Sequence, residues 1–469
     1  MDLKRKLARL GGIGPGSKPG PAPALPPPVE PAPPPPVEAA PPEEAPRPQD
    51  PRVQMLRRLL EDWSEREGLR MARQAPAAAP PPSGELPSEP RTTPHGIVHI
   101  TERVLPPDHH HGTEPVAGAL DVEPPVVARL ALHPELAGVE LGRMLFLDTE
   151  TTGLAGGTGT VPFLVGLAWF EGRSLRVQQL FLRRLGEEAP LLRMLAERMA
   201  ASSCLVTFNG KSFDWPLLRT RFVLNRVKPP AELPHLDLLH CARRVFKYRG
   251  GGSRLVHLEE QVLGHRRVGD VEGSLIPDLY FRFLRGGSGA ALVPVLEHNA
   301  NDLLLLAALL GALGRRFRSS PLDGEDPRDL LGFAHVAARA RDFERARAFA
   351  QAAAEGAQGD VVVEALSLAS KLSSQSGDVP AAVVYLQRAL TAASKAQAAP
   401  LHLSLSKLYE HSLKDVARAL HHAQRIGLAE LPVDRQRRIT RLERKLARVA
   451  PPEPGSEPTA SLPLFEPGA

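Results

Sequence analysis

Asp148 and Glu150 stand two residues apart at the end of an apolar run, Met144-Leu145-Phe146-Leu147. On a β-strand, residues two apart face the same side, so the two carboxylates point together while Thr149 points away. Two anions side by side at the end of a buried strand repel each other unless a cation sits between them. More acidic residues of this kind follow. Asp214 comes after Phe208-Asn209-Gly210-Lys211-Ser212-Phe213 and before Trp215-Pro216-Leu217, which puts it at the start of a helix with Pro216 in the first turn. It reads either as a ligand or as a helix N-cap. His298 and Asp302 are four residues apart in His298-Asn299-Ala300-Asn301-Asp302, so they share one helix face. Asp302 precedes the apolar stretch 303–310, where an unpaired charge would be costly. Several carboxylates meeting at one point suit Mg²⁺ or Mn²⁺. Two such ions, ~3.5–4 Å apart, can steady both the attacking and the leaving oxygen of a phosphodiester. Imidazole titrates near neutrality, so His298 reads as a general base, or else as a core or capping histidine.

Regular elements must bring these residues together. Residues 144–147 form a buried strand that ends at Asp148, and 163–170 and 174–182 follow as the next two strands. A helix is expected over 190–201, a strand over 205–208, then a turn and a further helix. Residues 291–315 form a long apolar helix that carries Asp302. Strands in succession and then alternating with helices predict an α/β fold, a mixed sheet covered by helices. Ahead of it, 93–142 is a mixed extension with a short strand at 96–100. Its Asp108-His109-His110-His111-Gly112 reads as a solvated or structural loop, because three consecutive histidines cannot all face one ion from a regular element and no second ligand cluster lies nearby in sequence.

These three acidic motifs resemble those of the DEDD exonucleases, an RNase H-like family that includes polymerase proofreading domains and ribonucleases D and T. Residues 93–316 most resemble the bacterial YprB-like group. The likeness rests on Asp148-Thr149-Glu150-Thr151-Thr152-Gly153-Leu154-Ala155-Gly156-Gly157-Thr158-Gly159, His235-Leu236-Asp237-Leu238-Leu239-His240 and His298-Asn299. The resemblance implies an RNase H-like mixed sheet flanked by helices, two Mg²⁺ or Mn²⁺ ions, and 3′-to-5′ release of nucleoside monophosphates from a single-stranded 3′ end. It also implies that Asp148, Glu150, Asp214 and Asp302 are the four metal carboxylates. His298 lies four residues before Asp302, the spacing of the family's tyrosine subclass; its histidine subclass uses five.

Other residues near these motifs are candidate nucleic-acid contacts. Gly156 and Gly157 belong to a glycine-rich loop that either lets backbone N–H groups approach a phosphate or sugar, or simply connects strands tightly. It is not a P-loop, lacking the Lys-Ser/Thr ending. Arg254, with Lys247 and Arg249, borders Gly250-Gly251-Gly252 and reads as a basic loop for a phosphate backbone or as a solvated one. Thr151, Asn209 and Phe213 complete the set. Asp237 or Asp270 is available to support the metal site from outside it.

The rest of the 469-residue chain divides by composition. Its 49 prolines concentrate in residues 1–92, which read as a disordered region interrupted by a short amphipathic helix at about 52–72. From 327 to 449, Asp342, Asp378 and Asp415 recur 36 and 37 residues apart, each followed by Ala at +4 (Ala346, Ala382, Ala419) and Gln at +9 (Gln351, Gln387, Gln424). This predicts tetratricopeptide-like helix pairs that bind a protein partner, or a plain bundle of three pairs. The 450–469 tail holds Ser461-Leu462-Pro463-Leu464-Phe465, which resembles the peptides that dock bacterial repair proteins on the sliding clamp, though without their leading Gln. Two cysteines rule out a disulfide framework. The absence of a leader-like apolar segment or of any window near ~20 apolar residues predicts a cytoplasmic protein with no membrane span. The formal charge of +5 permits a polyanionic partner without requiring one. An exonuclease is the leading expectation. An endonuclease on the same metals and a non-catalytic scaffold acting through the repeats are its rivals.

Overall fold

The computed structural model describes residues 86–153, 159–250, 252, 254–319 and 325–449, all within one compact unit, Ala77–Ala469. The expected helix at 52–72, Gly156 and Gly157, and the Ser461-to-Phe465 peptide lie outside the described residues.

Seven strands make one sheet: β1 (Glu89–Thr93), β2 (Gly96–Leu105), β5 (Met144–Thr151), β6 (Pro162–Glu171), β7 (Ser174–Phe181), β8 (Cys204–Thr207) and β9 (His235–Asp237). Their order is β1-β2-β7-β6-β5-β8-β9. The β1, β2, β7, β6 and β5 ladders are antiparallel, and β8 and β9 run parallel to β5. Two short strands, β3 (His110–His111) and β4 (Glu114–Pro115), form a separate hairpin.

Side-chain alternation along β5 gives the sheet two buried faces. Met144 and Phe146 join one apolar cluster with α1 (Pro124–Ala131) and the long helix α7 (Val293–Arg318). Leu145 and Leu147 join another, with α2 (Glu188–Ala200), α3 (Asp214–Leu224) and α6 (Ile276–Leu284). Between α3 and α6 come α4 (Leu238–Val245) and α5 (Leu255–Leu263).

Two expectations give way: residues 89–92, expected within the disordered 1–92 region, are ordered in β1 by pairing with β2, and a stretch long and apolar enough for a membrane span does exist. By length and composition, Gly289–Arg318 is apolar enough to cross a membrane, and 67% of its most apolar window is buried in the fold. Its apolar surface is spent on the sheet and on α1, which is why so apolar a helix can also carry Asn299 and Asp302.

Seven more helices follow: α8 (Pro327–Arg339), α9 (Phe343–Gly356), α10 (Asp360–Gln375), α11 (Val379–Ala392), α12 (Lys395–His411), α13 (Val416–Ala423) and α14 (Pro432–Val449). The repeated Asp has a clear physical job. Asp342, Asp378 and Asp415 cap α9, α11 and α13, each accepting the backbone N–H three residues on. The residue before each one, Arg341, Gly377 or Lys414, has the positive φ that ends the preceding helix. Ala346, Ala382 and Ala419 are fully buried where paired helices approach closely. The helix pairs continue the α1–α7 core rather than standing apart from it. At the junction, the buried Asp329 carboxylate takes Arg249 at 2.6 and 2.5 Å and Arg316 at 2.7 Å. Gly332 packs so close to the Val245 backbone that a Cβ has no room.

Candidate active site

Asp148 and Glu150 share one face at the end of β5, half-buried. Directly across the ladder from Asp148 is Gly166 on β6, then Gln179 on β7 and Thr101 on β2. The missing side chain at Gly166 leaves a gap, and Asn299 of α7 fills it; a Cβ there would collide with the Asn299 amide. Asn299 is fully buried and donates to Asp148 Oδ2 at 2.8 Å. Its own Oδ1 accepts from Gln179 Nε2 at 2.8 Å, while Gln179 Oε1 accepts from the Thr101 hydroxyl at 2.7 Å. A line of amides thus runs from the sheet edge to the first carboxylate and fixes its orientation.

Asp214 arrives from the other face of the sheet, as the first residue of α3. Thr149, which alternation turns toward that face, donates its hydroxyl to Asp214 Oδ1 at 2.5 Å. The turn before α3 is held by Asp237, which accepts from the backbone N–H groups of Asn209 (2.8 Å), Lys211 (3.1 Å) and Leu239 (3.1 Å). Asp237 therefore supports a loop and caps α4. Asn209 takes the left-handed conformation, φ 68°, that the reversal requires.

Asp302 and His298 do share a face of α7, with His298 Nε2 3.7 Å from Asp302 Oδ2. His298 Nδ1 lies 2.8 Å from Asp270 Oδ1 and 3.4 Å from Arg267 Nη1; with its proton on Nδ1 the ring donates to Asp270 and leaves Nε2 toward Asp302. Between them lies Arg267, its side chain only 4% exposed. It donates to Asp302 Oδ1 at 2.5 Å, to Asp270 Oδ2 at 3.2 Å and to Glu259 Oε2 at 2.6 Å.

Burial pushes the carboxyls of Asp148 and Glu150 well above the ordinary range, and neighbouring anions push them further: Asp302 and Asp214 on Asp148, and Asp148, Asp302 and Asp214 on Glu150. Asp214 is pushed up to about 6 by burial, against the pull of its Thr149 hydrogen bond. Asp302 is raised by burial although Arg267 pulls the other way. Four carboxyls raised by burial, two of which (Asp148 and Glu150) are raised further by the others' charge, form a hard-oxygen donor set, and a divalent cation would relieve that repulsion. The residues fit such an ion.

Thr151 is buried, its hydroxyl bonded to the Gly153 carbonyl at 2.8 Å. Phe213 is half-buried and N-caps α3; Arg254 is exposed and N-caps α5. Arg249 is not available to a phosphate backbone, because Asp329 holds it. Of the two readings of the histidine-rich loop, His111 follows the structural one: it is buried, and its Nε2 lies 2.6 Å from Glu259 Oε1. The sequence by itself assigns no role to Asn299, Gln179, Gly166 or Arg267. Two adjacent glutamines and a glycine inside apolar strands were the visible hint. Nothing local marked Arg267.

Residues 145–313 match the profile of a family described as RNase_H superfamily. The chain is 30% identical over 314 residues to the "Uncharacterized protein YprB" of Bacillus subtilis (strain 168), covering 66% of this chain and 75% of that protein.

Proposed function

The chain belongs to the YprB family within the RNase H superfamily, and from that premise we propose that it is a divalent-metal-dependent 3′-to-5′ exonuclease acting on DNA or RNA. The observation that carries this reading is the set of four carboxylates, each with a raised proton affinity, at the end of the central strand. A domain that only bound nucleic acid would have no use for crowded anions where phosphates must sit.

In this reading Asp148, Glu150, Asp214 and Asp302 hold two Mg²⁺ or Mn²⁺ ions. Bound there, the ions would supply Lewis-acid stabilisation of charge on the attacking and leaving oxygens. Asn299 keeps Asp148 turned to the site, and Thr149 keeps Asp214 there. His298 accepts the proton of the attacking water at Nε2, and Asp270 stabilises the resulting imidazolium through Nδ1–H. Residues 93–316 are the catalytic part. The tetratricopeptide-like pairs of 327–449 are a surface for a protein partner, and the Ser461-to-Phe465 peptide is a sliding-clamp ligand. The cytoplasm is the proposed compartment, where Cys204 and Cys241, both free and buried, stay reduced.

The test is an Mg²⁺/Mn²⁺ assay on end-labelled single- and double-stranded DNA and RNA, with circular molecules alongside and Asp148→Ala as control. Mononucleotides are expected from linear substrates only, and none from the variant. Cut circles would make the enzyme an endonuclease, and undiminished turnover by Asp148→Ala would remove the mechanism.

A further inference from the structure

The histidine-rich segment takes no part in the chemistry above, yet one of its imidazoles is deeply placed. His111, on β3, and Glu259, on α5, are 3% and 0% exposed. Glu259 Oε1 lies 2.6 Å from His111 Nε2 and 3.9 Å from the Nε2 of His265, just beyond the end of α5. The two imidazole rings are 4.4 Å apart between centroids. One ligand atom from each of the three residues lies within 4.8 Å of the other two. Ligands bound tetrahedrally at zinc distances stand about 3.4 Å from one another. The 2.6 and 3.9 Å separations fall on either side of that value, so small side-chain rotations would close the group around an ion.

Two further features point the same way. Arg267 is the guanidinium shared by Glu259, Asp270 and Asp302, so one cation faces three anions. It holds Glu259 by Oε2, which leaves Oε1 directed at the two imidazoles. The ligands are also set in place by the backbone. Thr113 donates its N–H (2.7 Å) and its hydroxyl (3.1 Å) to the Leu263 carbonyl, and Gly112, at φ 64°, packs against that same carbonyl with no room for a Cβ. Gly264, at φ 66°, ends α5 and turns His265 back beside His111.

We propose that His111, Glu259 and His265 form a second metal site, distinct from the four carboxylates, that takes Zn²⁺ with water as fourth ligand. Two imidazoles and one carboxylate suit zinc, whereas Mg²⁺ prefers oxygen ligands alone. The ion would fasten the β3–β4 hairpin to α5 and stiffen the Glu259–Arg267–Asp302 line behind the carboxylates. The site stands or falls independently of the nuclease reading.

The test uses the full chain with Asp148→Asn and Asp214→Asn, which weakens the carboxylate site and leaves Arg267 and its partners in place. The protein is stripped with chelator, loaded with Zn²⁺, desalted, and its metal counted. One Zn²⁺ per chain is expected, with a rise in Tm on loading. Co²⁺ in place of Zn²⁺ should give the intense visible absorption of a tetrahedral ion. Adding His265→Gln, a partly exposed position that tolerates the change, should weaken Zn²⁺ binding at least about 100-fold while the folded circular-dichroism spectrum persists. Two outcomes overturn the proposal: no stoichiometric Zn²⁺ in the parent protein, or undiminished Zn²⁺ in the folded His265→Gln protein. The first would leave His111 and Glu259 as a buried hydrogen-bonded pair.

Discussion

Asn299 ties the helix that carries Asp302 to the strand that carries Asp148, donating to the Asp148 carboxylate and accepting from Gln179. Asn299→Leu keeps the bulk but removes both hydrogen bonds. We expect turnover to fall about 10–100-fold with substrate binding little changed, read as a split between kcat and KM. At Gly166, Gly166→Ala drives a methyl into the Asn299 amide and should cost about 1–3 kcal/mol in denaturant unfolding. The acidic groups predict a pH response. Asp148, Glu150, Asp214 and Asp302 all have folded-state proton affinities raised above the ordinary range. Their contribution to stability is therefore complete below the unfolded carboxyl values near about pH 4, and is lost as the pH rises through the folded ones. For Asp214 that means through about 6. In chelator, Tm should fall across this interval; with Mg²⁺, which favours the ionised forms, the fall should shrink. Equal slopes with and without Mg²⁺ would show that no ion binds these carboxylates.

The elements show how a repeat in sequence becomes a repeat in structure. Asp378 caps α11 by accepting the Ala381 N–H at 3.1 Å, so Asp378→Ala should cost about 1 kcal/mol. Asp329 is a different case. Its buried carboxylate neutralises Arg249 and Arg316 at once, and Asp329→Ala would leave two guanidinium groups poorly compensated at the junction of α4, α7 and α8. A loss of about 3–5 kcal/mol is expected, several times that of the cap, in the same denaturation experiment. The spacing of Asp342, Asp378 and Asp415 was legible because a helix cap is a local device. Asp329 looks like one more acidic residue in a first turn, and its partners lie 80 and 13 residues away.

For the whole molecule, the apolar core runs without a break from Val116 in the extension, through α7, to Leu442 in the last helix. A chain cut near residue 319 would expose Phe317, fully buried in the intact fold and packed on Phe333 and Phe349. Residues 77–319 alone should therefore aggregate or bind a hydrophobic dye, and adding back 325–449 as a separate chain should reduce the dye signal. A soluble, cooperatively unfolding 77–319 fragment would show instead that the helix pairs are dispensable to the fold.

Some of this was fixed by sequence alone, because the interactions concerned are local or periodic. The alternation that aims Asp148 and Glu150 together, the four-residue return that sets His298 beside Asp302, and the capping aspartates all follow from the backbone geometry of one element. Tertiary structure decided which distant groups meet those residues. Thr149 turns away from its neighbours in the strand, and only the placement of α3 on that face gives its hydroxyl Asp214 to hold. Arg267 sits in an irregular segment with no period to mark it, and only the folding of that segment against α5 and α7 puts its charge between Glu259 and Asp302. His111 and His265 are 154 positions apart, and the hairpin docked on α5 is what makes them neighbours.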